Sequence, residues 1–271
     1  MSDPLVSVVM ATVRLDEFFV SAVWSVLRQT HQNLELVVVL DGIPLAAVDG
    51  SDWASDSRLV VVPLQARVGT PTALNHGIRV SRGRYIARLD ADDIAYDTRI
   101  ASQVAIMESC PELLCLGGAV ALIDELGRSI GGLSASAEED VPNALLIRNV
   151  MVHSSVMYRR AAWLEIGGYN PLCLRMQDYE LFLRIAAVGA IRNSADIQTA
   201  YRIHAGQHSR HSSPWALHMR EILRRRLALA EVLGQSKVRQ RFRNVQWFSY
   251  QVMRHYGVVR PRYLRGVSHV V

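Results

Sequence analysis

The run Leu34-Glu35-Leu36-Val37-Val38-Val39-Leu40 is rich in β-forming residues and unbroken, and it stops at Asp41-Gly42. A strand this apolar along its length needs cover on both faces, the situation of a parallel sheet rather than of a half-wet antiparallel one. The flanking text agrees. Leu5 to Ala11 is a short apolar run, and Asp16 to Arg28 places Phe19, Ala22, Val23, Val26 and Leu27 at helical spacing. Leu59 to Pro63 reads as a further strand. Thr70-Pro71 supplies a helix cap and a first-turn proline, Leu74 and Ile78 give that helix an apolar side, and Gly83 ends it before the strand Tyr85 to Leu89. Four strands separated by helices or helix-length connections predict an α/β fold, with a mainly parallel sheet covered on both faces.

Past this point the pattern becomes mixed. A helix with Ile100, Val104 and Met107 runs to Pro111, and Leu114 to Ile123 reads as a strand reaching a turn at Asp124-Glu125-Leu126-Gly127. Ser154 to Tyr158 is expected as a strand, Gly167-Gly168 to end a short helix, and Asp178 to Val188 to be a helix closed by Gly189. No linker is visible before about Ser212, so residues 1–212 are expected to form one unit, with halves at 1–97 and 98–212, and residues 213–271 a helical extension.

The chain has 271 residues, half of them apolar, enough for a core without staples. Cys110, Cys115 and Cys173 lack metal-like spacing and are expected to be reduced thiols in a cytoplasmic protein. The apolar run Leu113 to Ile123 falls far short of the ~20 residues of a spanning helix, and Met1 to Pro4 does not begin a signal peptide. A soluble chain, or one held at a membrane surface, is the expectation.

Charge is unevenly distributed. Pro214 to Val271 holds twelve Lys or Arg against two Glu, while the remainder is net acidic. In this extension Trp215, Met219, Ile222, Leu223, Ala230 and Leu233 share one helical face, and Val238, Phe242, Val245, Val252 and Tyr256 another. Such a basic amphipathic pair either packs on the body with its arginines in water or lies on an anionic membrane surface, peripheral to the inner face. A basic tail with no reading motif gives only unspecific, salt-sensitive affinity for nucleic acid, so no nucleic-acid partner is expected.

Leu89-Asp90-Ala91-Asp92-Asp93 follows a strand, so its acids fall at the carboxyl end, where open α/β sheets bind ligands. Three carboxylates this close repel one another unless a cation lies among them. A divalent ion with oxygen ligands fills that role and recruits phosphate. The alternative is an acidic loop before the helix that Asp97 and Thr98 open.

Taken in order, these segments resemble the family 2 glycosyltransferases, whose nucleotide-sugar-binding fold is called GT-A. The matching text is Val6-Ser7-Val8-Val9-Met10-Ala11-Thr12, Ser25-Val26-Leu27-Arg28-Gln29-Thr30, Glu35 to Gly42, Ala73-Leu74-Asn75-His76-Gly77, Gly83 to Asp93, His153 to Arg160, Gly167-Gly168-Tyr169, Asp178 to Arg184 and Tyr201-Arg202-Ile203-His204. The combination looks most like enzymes that build bacterial exopolysaccharide and cell-surface glycans.

The resemblance implies a nucleotide-binding half at 1–97, an acceptor-binding half at 98–212, and an inverting, metal-dependent transfer. The donor is a nucleotide-diphosphate sugar, UDP favoured and dTDP possible, and the acceptor a hydroxyl of a glycan or polyprenyl-linked glycan. Asp41 matches the acid that reads the nucleobase. Thr12 and Asn75 match positions lining the nucleotide and ribose pocket, and Asp90 the acid facing the ribose. Asp92 matches the ligand of Mn2+ or Mg2+, and His204 a position that meets metal or diphosphate in some relatives. Asp178 matches the catalytic base. Asp93 is either a second ligand or a helix-side cap.

This chain departs from the usual pattern at Leu40 and Gln177, where many relatives carry acids, and at Leu74, where they carry Arg. Those losses raise an alternative, a nucleotide-sugar-binding partner of another transferase that performs no turnover. A nucleotidyltransferase would need a Gly-rich, basic loop after the first strand, which Ala11-Thr12-Val13-Arg14 is not.

Overall fold

The computed structural model describes residues 3–133, 140–206 and 213–259. Nine strands are described: β1 (Val6–Thr12), β2 (Leu34–Asp41), β3 (Leu59–Leu64), β4 (Tyr85–Arg88), β5 (Ile94–Ala95), β6 (Leu113–Ile123), β7 (Ser129–Leu133), β8 (Met157–Arg159) and β9 (Ala190–Arg202). They form one sheet in the order β3-β2-β1-β4-β8-β6-β9-β5, with β7 hairpinned onto β6. The first four are mutually parallel, as the apolar runs predict, and β6 runs parallel to β9. β8 is antiparallel to both β4 and β6, so the two halves of the chain share a single sheet.

Both faces are covered. Val6, Val8 and Met10 point to the side of helices α1 (Glu17–Leu27) and α3 (Arg99–Ser109), whereas Val9 and Val37 point toward α2 (Thr70–Val80) and the later helices. Strand alternation therefore feeds two separate apolar cores. Close packing of α2 depends on Gly77, where an added Cβ would lie 2.7 Å from Val39 and 2.8 Å from Val9.

Several local expectations change. Gly69, at φ 87°, caps α2 in place of Thr70, which lies inside the helix; no side chain makes the capping bond. Residues 153–155 form a 3-10 turn, and the strand expected from Ser154 begins only at Met157. The cause is that Ser154 and Ser155 turn their hydroxyls to Asp90 and to Gly118 rather than leaving the backbone extended.

Short helices α4 (Val141–Leu145) and α5 (Arg160–Glu165) precede the long α6 (Gln177–Val188). Asp178 is the second residue of α6, and the N-cap is Met176, left-handed at φ 53°. Gly189 closes the helix as expected. The extension is helical, as α7 (Leu217–Val232) and α8 (Lys237–His255), while the last twelve residues, 260–271, lie outside the described set. α7 packs on α6 through Met219, Ile222, Leu229 and Ala230, all buried. Among the described residues no helix is long and apolar enough to cross a membrane.

Candidate active site

The carboxyl ends of β2, β1 and β4 lie side by side in register, since Thr12 pairs with Leu40 and Val9 with Arg88. Asp41, Thr12 and Asp90 are brought to one edge of the sheet for that reason. From Asp90 the chain crosses to β5 at the far edge, where Ile94 pairs with Ala200 of antiparallel β9. Continuing that register sets Tyr201 opposite Asp93 and Arg202 opposite Asp92, with His204 just beyond. His204 lies two residues past the end of β9.

Its Nε2 is 2.8 Å from Asp92 Oδ2, while the Arg202 amide donates to Asp93 Oδ1 at 2.8 Å. Phe18 supports this corner from α1: its ring centroid is 5.5 Å from that of His204, and the Arg202 guanidinium lies over it at 4.5 Å. The turn after β1 therefore adjoins the acidic loop.

Asp90 is anchored by a buried network. Arg88, inside β4 and fully buried, pairs with its Oδ1, and Ser154 Oγ donates to its Oδ2 at 2.7 Å. Burial opposes ionisation of Asp90, but the charges of Arg88 and His153 and the bond from Ser154 outweigh it and hold the carboxyl below its ordinary range. Next to it, His153 is pushed down to about 3 by burial and then by Arg88. Its Nε2 lies 2.7 Å from the Tyr169 hydroxyl. Asp93 behaves oppositely. It is buried, with Oδ2 unpartnered, and burial followed by the charges of Asp92 and Asp90 raises it well above the usual carboxylate range.

Asp178, in the first turn of α6, lies near enough to Asp90 to feel its charge. Asn149 Nδ2 donates to its Oδ2 at 2.9 Å. Burial raises its carboxyl to about 6, against the pull of the Tyr179 amide and with a further push from the Asp90 charge. Asp90 and Asp178 thus feel each other, as both do the Tyr169 hydroxyl.

The remaining candidates are partly engaged in structure. Asp41 accepts the amides of Val68 at 2.7 Å and Gly69 at 3.0 Å, pinning the loop that opens α2. Asn75 exchanges two 2.8 Å bonds with the backbone of Tyr169, clamping α2 to the Gly167-Gly168 turn. Thr12 Oγ1 closes a local turn on Arg14. Sequence reasoning gave no role to Arg88, Ser154 or Asn149. An arginine between apolar strand residues, as Ala87-Arg88-Leu89 has it, signals a buried counter-ion; nothing in the sequence marks Asn149.

Among the described residues no group of three or more His, Cys, Asp or Glu is arranged to hold a metal. The oxygen and nitrogen donors of Asp92 and His204, beside an orphaned Asp93 oxygen, suit an ion that takes its other ligands from substrate phosphates. They do not form a closed protein cage.

Comparison with known proteins identifies the family and the fold. Over 174 residues the chain is 34% identical to the amylovoran biosynthesis glycosyltransferase AmsE of Erwinia amylovora, a match covering 63% of this chain and 65% of AmsE, a little under two thirds of its length. It is 28% identical to the UDP-Glc:alpha-D-GlcNAc-diphosphoundecaprenol beta-1,3-glucosyltransferase WfaP of Escherichia coli, over 74% of this chain and 78% of WfaP. In three dimensions it resembles S. aureus TarS, solved in complex with UDP-GlcNAc, with a TM-score of 0.69 and 14% identity over 96% of this chain and 74% of that one, so the fold is of the GT-A type. Residues 7–167 match the sequence model of Glycosyl transferase family 2, and the chain belongs to that family.

Proposed function

We propose that this protein is an inverting glycosyltransferase that moves a sugar from a UDP-sugar to a hydroxyl of a glycan or polyprenyl-linked glycan acceptor in surface polysaccharide assembly. The observation that supports the reading is a pair of differently tuned carboxylates within reach of each other's charge: Asp90, held ionised by Arg88, and Asp178, raised to about 6. A base must hold a proton only transiently, so a carboxyl titrating near the working pH suits that task. Relatives and neighbours bearing UDP or a diphospholipid in their names support the donor and acceptor classes.

Asp178 accepts the proton of the acceptor hydroxyl as its oxygen bonds to the anomeric carbon. The bond from that carbon to the diphosphate oxygen breaks on the opposite face, and a single displacement of this kind inverts the centre. Asn149 keeps the base oriented. Asp41 holds the Val68–Gly69 loop with one lone pair on each oxygen, and the others remain to accept an imide N–H of uracil. Thr12 and Asn75 shape the pocket through the turns they fix. Asp92 and His204 would hold Mn2+ or Mg2+, and a bound cation there would supply stabilisation of the negative charge of the diphosphate leaving group.

The test is a pair of variants assayed against a panel of nucleotide sugars. Asp178→Asn keeps Mn2+-dependent UDP binding and loses transfer by 10²-fold or more; Asp92→Ala loses both. Transfer intact in Asp178→Asn would reject the base. Donor binding with no transfer by the parent over many acceptors would favour the non-catalytic nucleotide-sugar-binding partner.

A further inference from the structure

α8 is turned inside out. The side that faces the body is polar: Gln240, Asn244 and Gln251 are all buried, with Gln240 Nε2 donating to the Leu146 carbonyl at 3.0 Å and Asn244 Nδ2 to the Leu223 carbonyl at 3.1 Å. The apolar side faces out. Val238, Phe242, Val245 and Tyr256 are 75%, 64%, 63% and 68% exposed. At about 100° per residue they fall on the side of the helix away from Trp247, which packs inward. The exposed Trp215 ring, its centroid 5.5 Å from that of Phe248, extends the patch from the start of α7.

Large exposed apolar stripes on a soluble domain mark interaction surfaces, and charge identifies the partner. α8 carries Lys237, Arg239, Arg241, Arg243 and Arg254 and no acid, with exposed Arg239 and Arg241 flanking the stripe on either side. A second copy paired by two-fold symmetry would set arginine against arginine, which such an interface disfavours. An apolar stripe with aromatic side chains between arginines complements anionic lipid instead. We propose that the outer face of α8, with Trp215, is a docking surface for an anionic lipid bilayer.

The position of α8 gives docking a use. On its inner side the Trp247 ring centroid is 6.2 Å from that of Tyr179, the residue after Asp178. One helix thickness, about 10–12 Å, therefore separates the docked face from the neighbourhood of the base, near enough for an acceptor carried on lipid. That use rests on the transfer reading; the docking itself does not.

Vesicle co-sedimentation of the full chain, without donor or acceptor, tests it. The parent is expected to sediment with phosphatidylcholine vesicles containing phosphatidylglycerol at least tenfold more strongly than with phosphatidylcholine alone, given about fivefold per basic residue near an anionic surface. Arg239→Gln/Arg241→Gln should weaken binding about 30-fold, and Phe242→Ser/Val245→Ser at least tenfold, with melting curves and transfer to a water-soluble acceptor like those of the parent. Equal binding to both vesicle types, or unchanged binding by both variants, would overturn the proposal. So would a dimer in sedimentation equilibrium that Phe242→Ser/Val245→Ser dissociates, since the stripe would then belong to a second copy.

Discussion

Replacing Asp178 by Asn should make the protein more stable and less active, with the gain in stability present only above the titration of the native carboxyl. In the folded chain the carboxyl sits at about 6, against an ordinary value of 3.8, because burial penalises its charge. Between those values the folded state binds more protons than the unfolded one, so Asp178 costs increasing stability as pH rises from about 4 to about 6 and a constant amount above that. The interval is worth about 3 kcal/mol at 1.36 kcal/mol per pH unit. The group is partly open to solvent, and screening reduces the expected figure to about 1–2 kcal/mol. Asn keeps a polar group for Asn149 and removes the charge. Melting temperature measured at pH 8 should therefore rise by about 2–6 °C relative to the parent, and the two proteins should converge at pH 4. The difference between the two pH values isolates ionisation from any change in helix-end contacts, which both measurements share. A gain equal at both pH values, or a loss at pH 8, would refute the argument that burial of this charge is a destabilising cost kept for catalysis.

Other consequences follow from single contacts. Asn149→Ala removes a hydrogen bond that favours the ionised base, so the acidic limb of the kcat profile should move above about 6 while UDP affinity changes little; pH-rate curves and UDP titrations separate the two. His204→Ala should weaken Mn2+-dependent UDP binding at least tenfold by thermal shift, because outer and paired ligands of a metal typically contribute that much, and leave binding without metal unaltered. Gly83→Ala would put a Cβ 2.5 Å from the Ser7 amide nitrogen, forcing apart β1 and the turn before β4, and should cost about 1–3 kcal/mol in urea unfolding.

The strands that carry the site were legible because their chemistry is one-dimensional. Val6 to Thr12, Leu34 to Asp41 and Tyr85 to Arg88 are apolar runs ending in a polar residue, and the ligand edge follows from parallel order. The acidic loop was legible from the strand before it and Asp178 only by resemblance, while the meeting of Asp92 with His204 depends on a tertiary register, β5 on β9, that no local pattern encodes. The cap expected at Thr70 falls instead to Gly69, because the chain enters α2 at a positive φ that glycine adopts freely. The periodicity of α8 was clear, but which face would be buried was not. Gln240 and Asn244 won the inner side because the carbonyls of Leu146 and Leu223 there need donors, a demand invisible until α4 and α7 are in place.

The one-sheet arrangement bears on how such a chain is cut and recombined. The family match ends at 167, yet α6 with Asp178, and β9, which is hydrogen-bonded to β6 along nearly its whole length and also holds β5, come afterwards. A fragment ended at the family boundary would strip a central strand's neighbour from the sheet and leave the acidic loop without the segment opposite it. Chimeras that exchange the second part of the sheet should accordingly keep β6, β8 and β9 together as a block rather than cut at the limit that sequence similarity suggests.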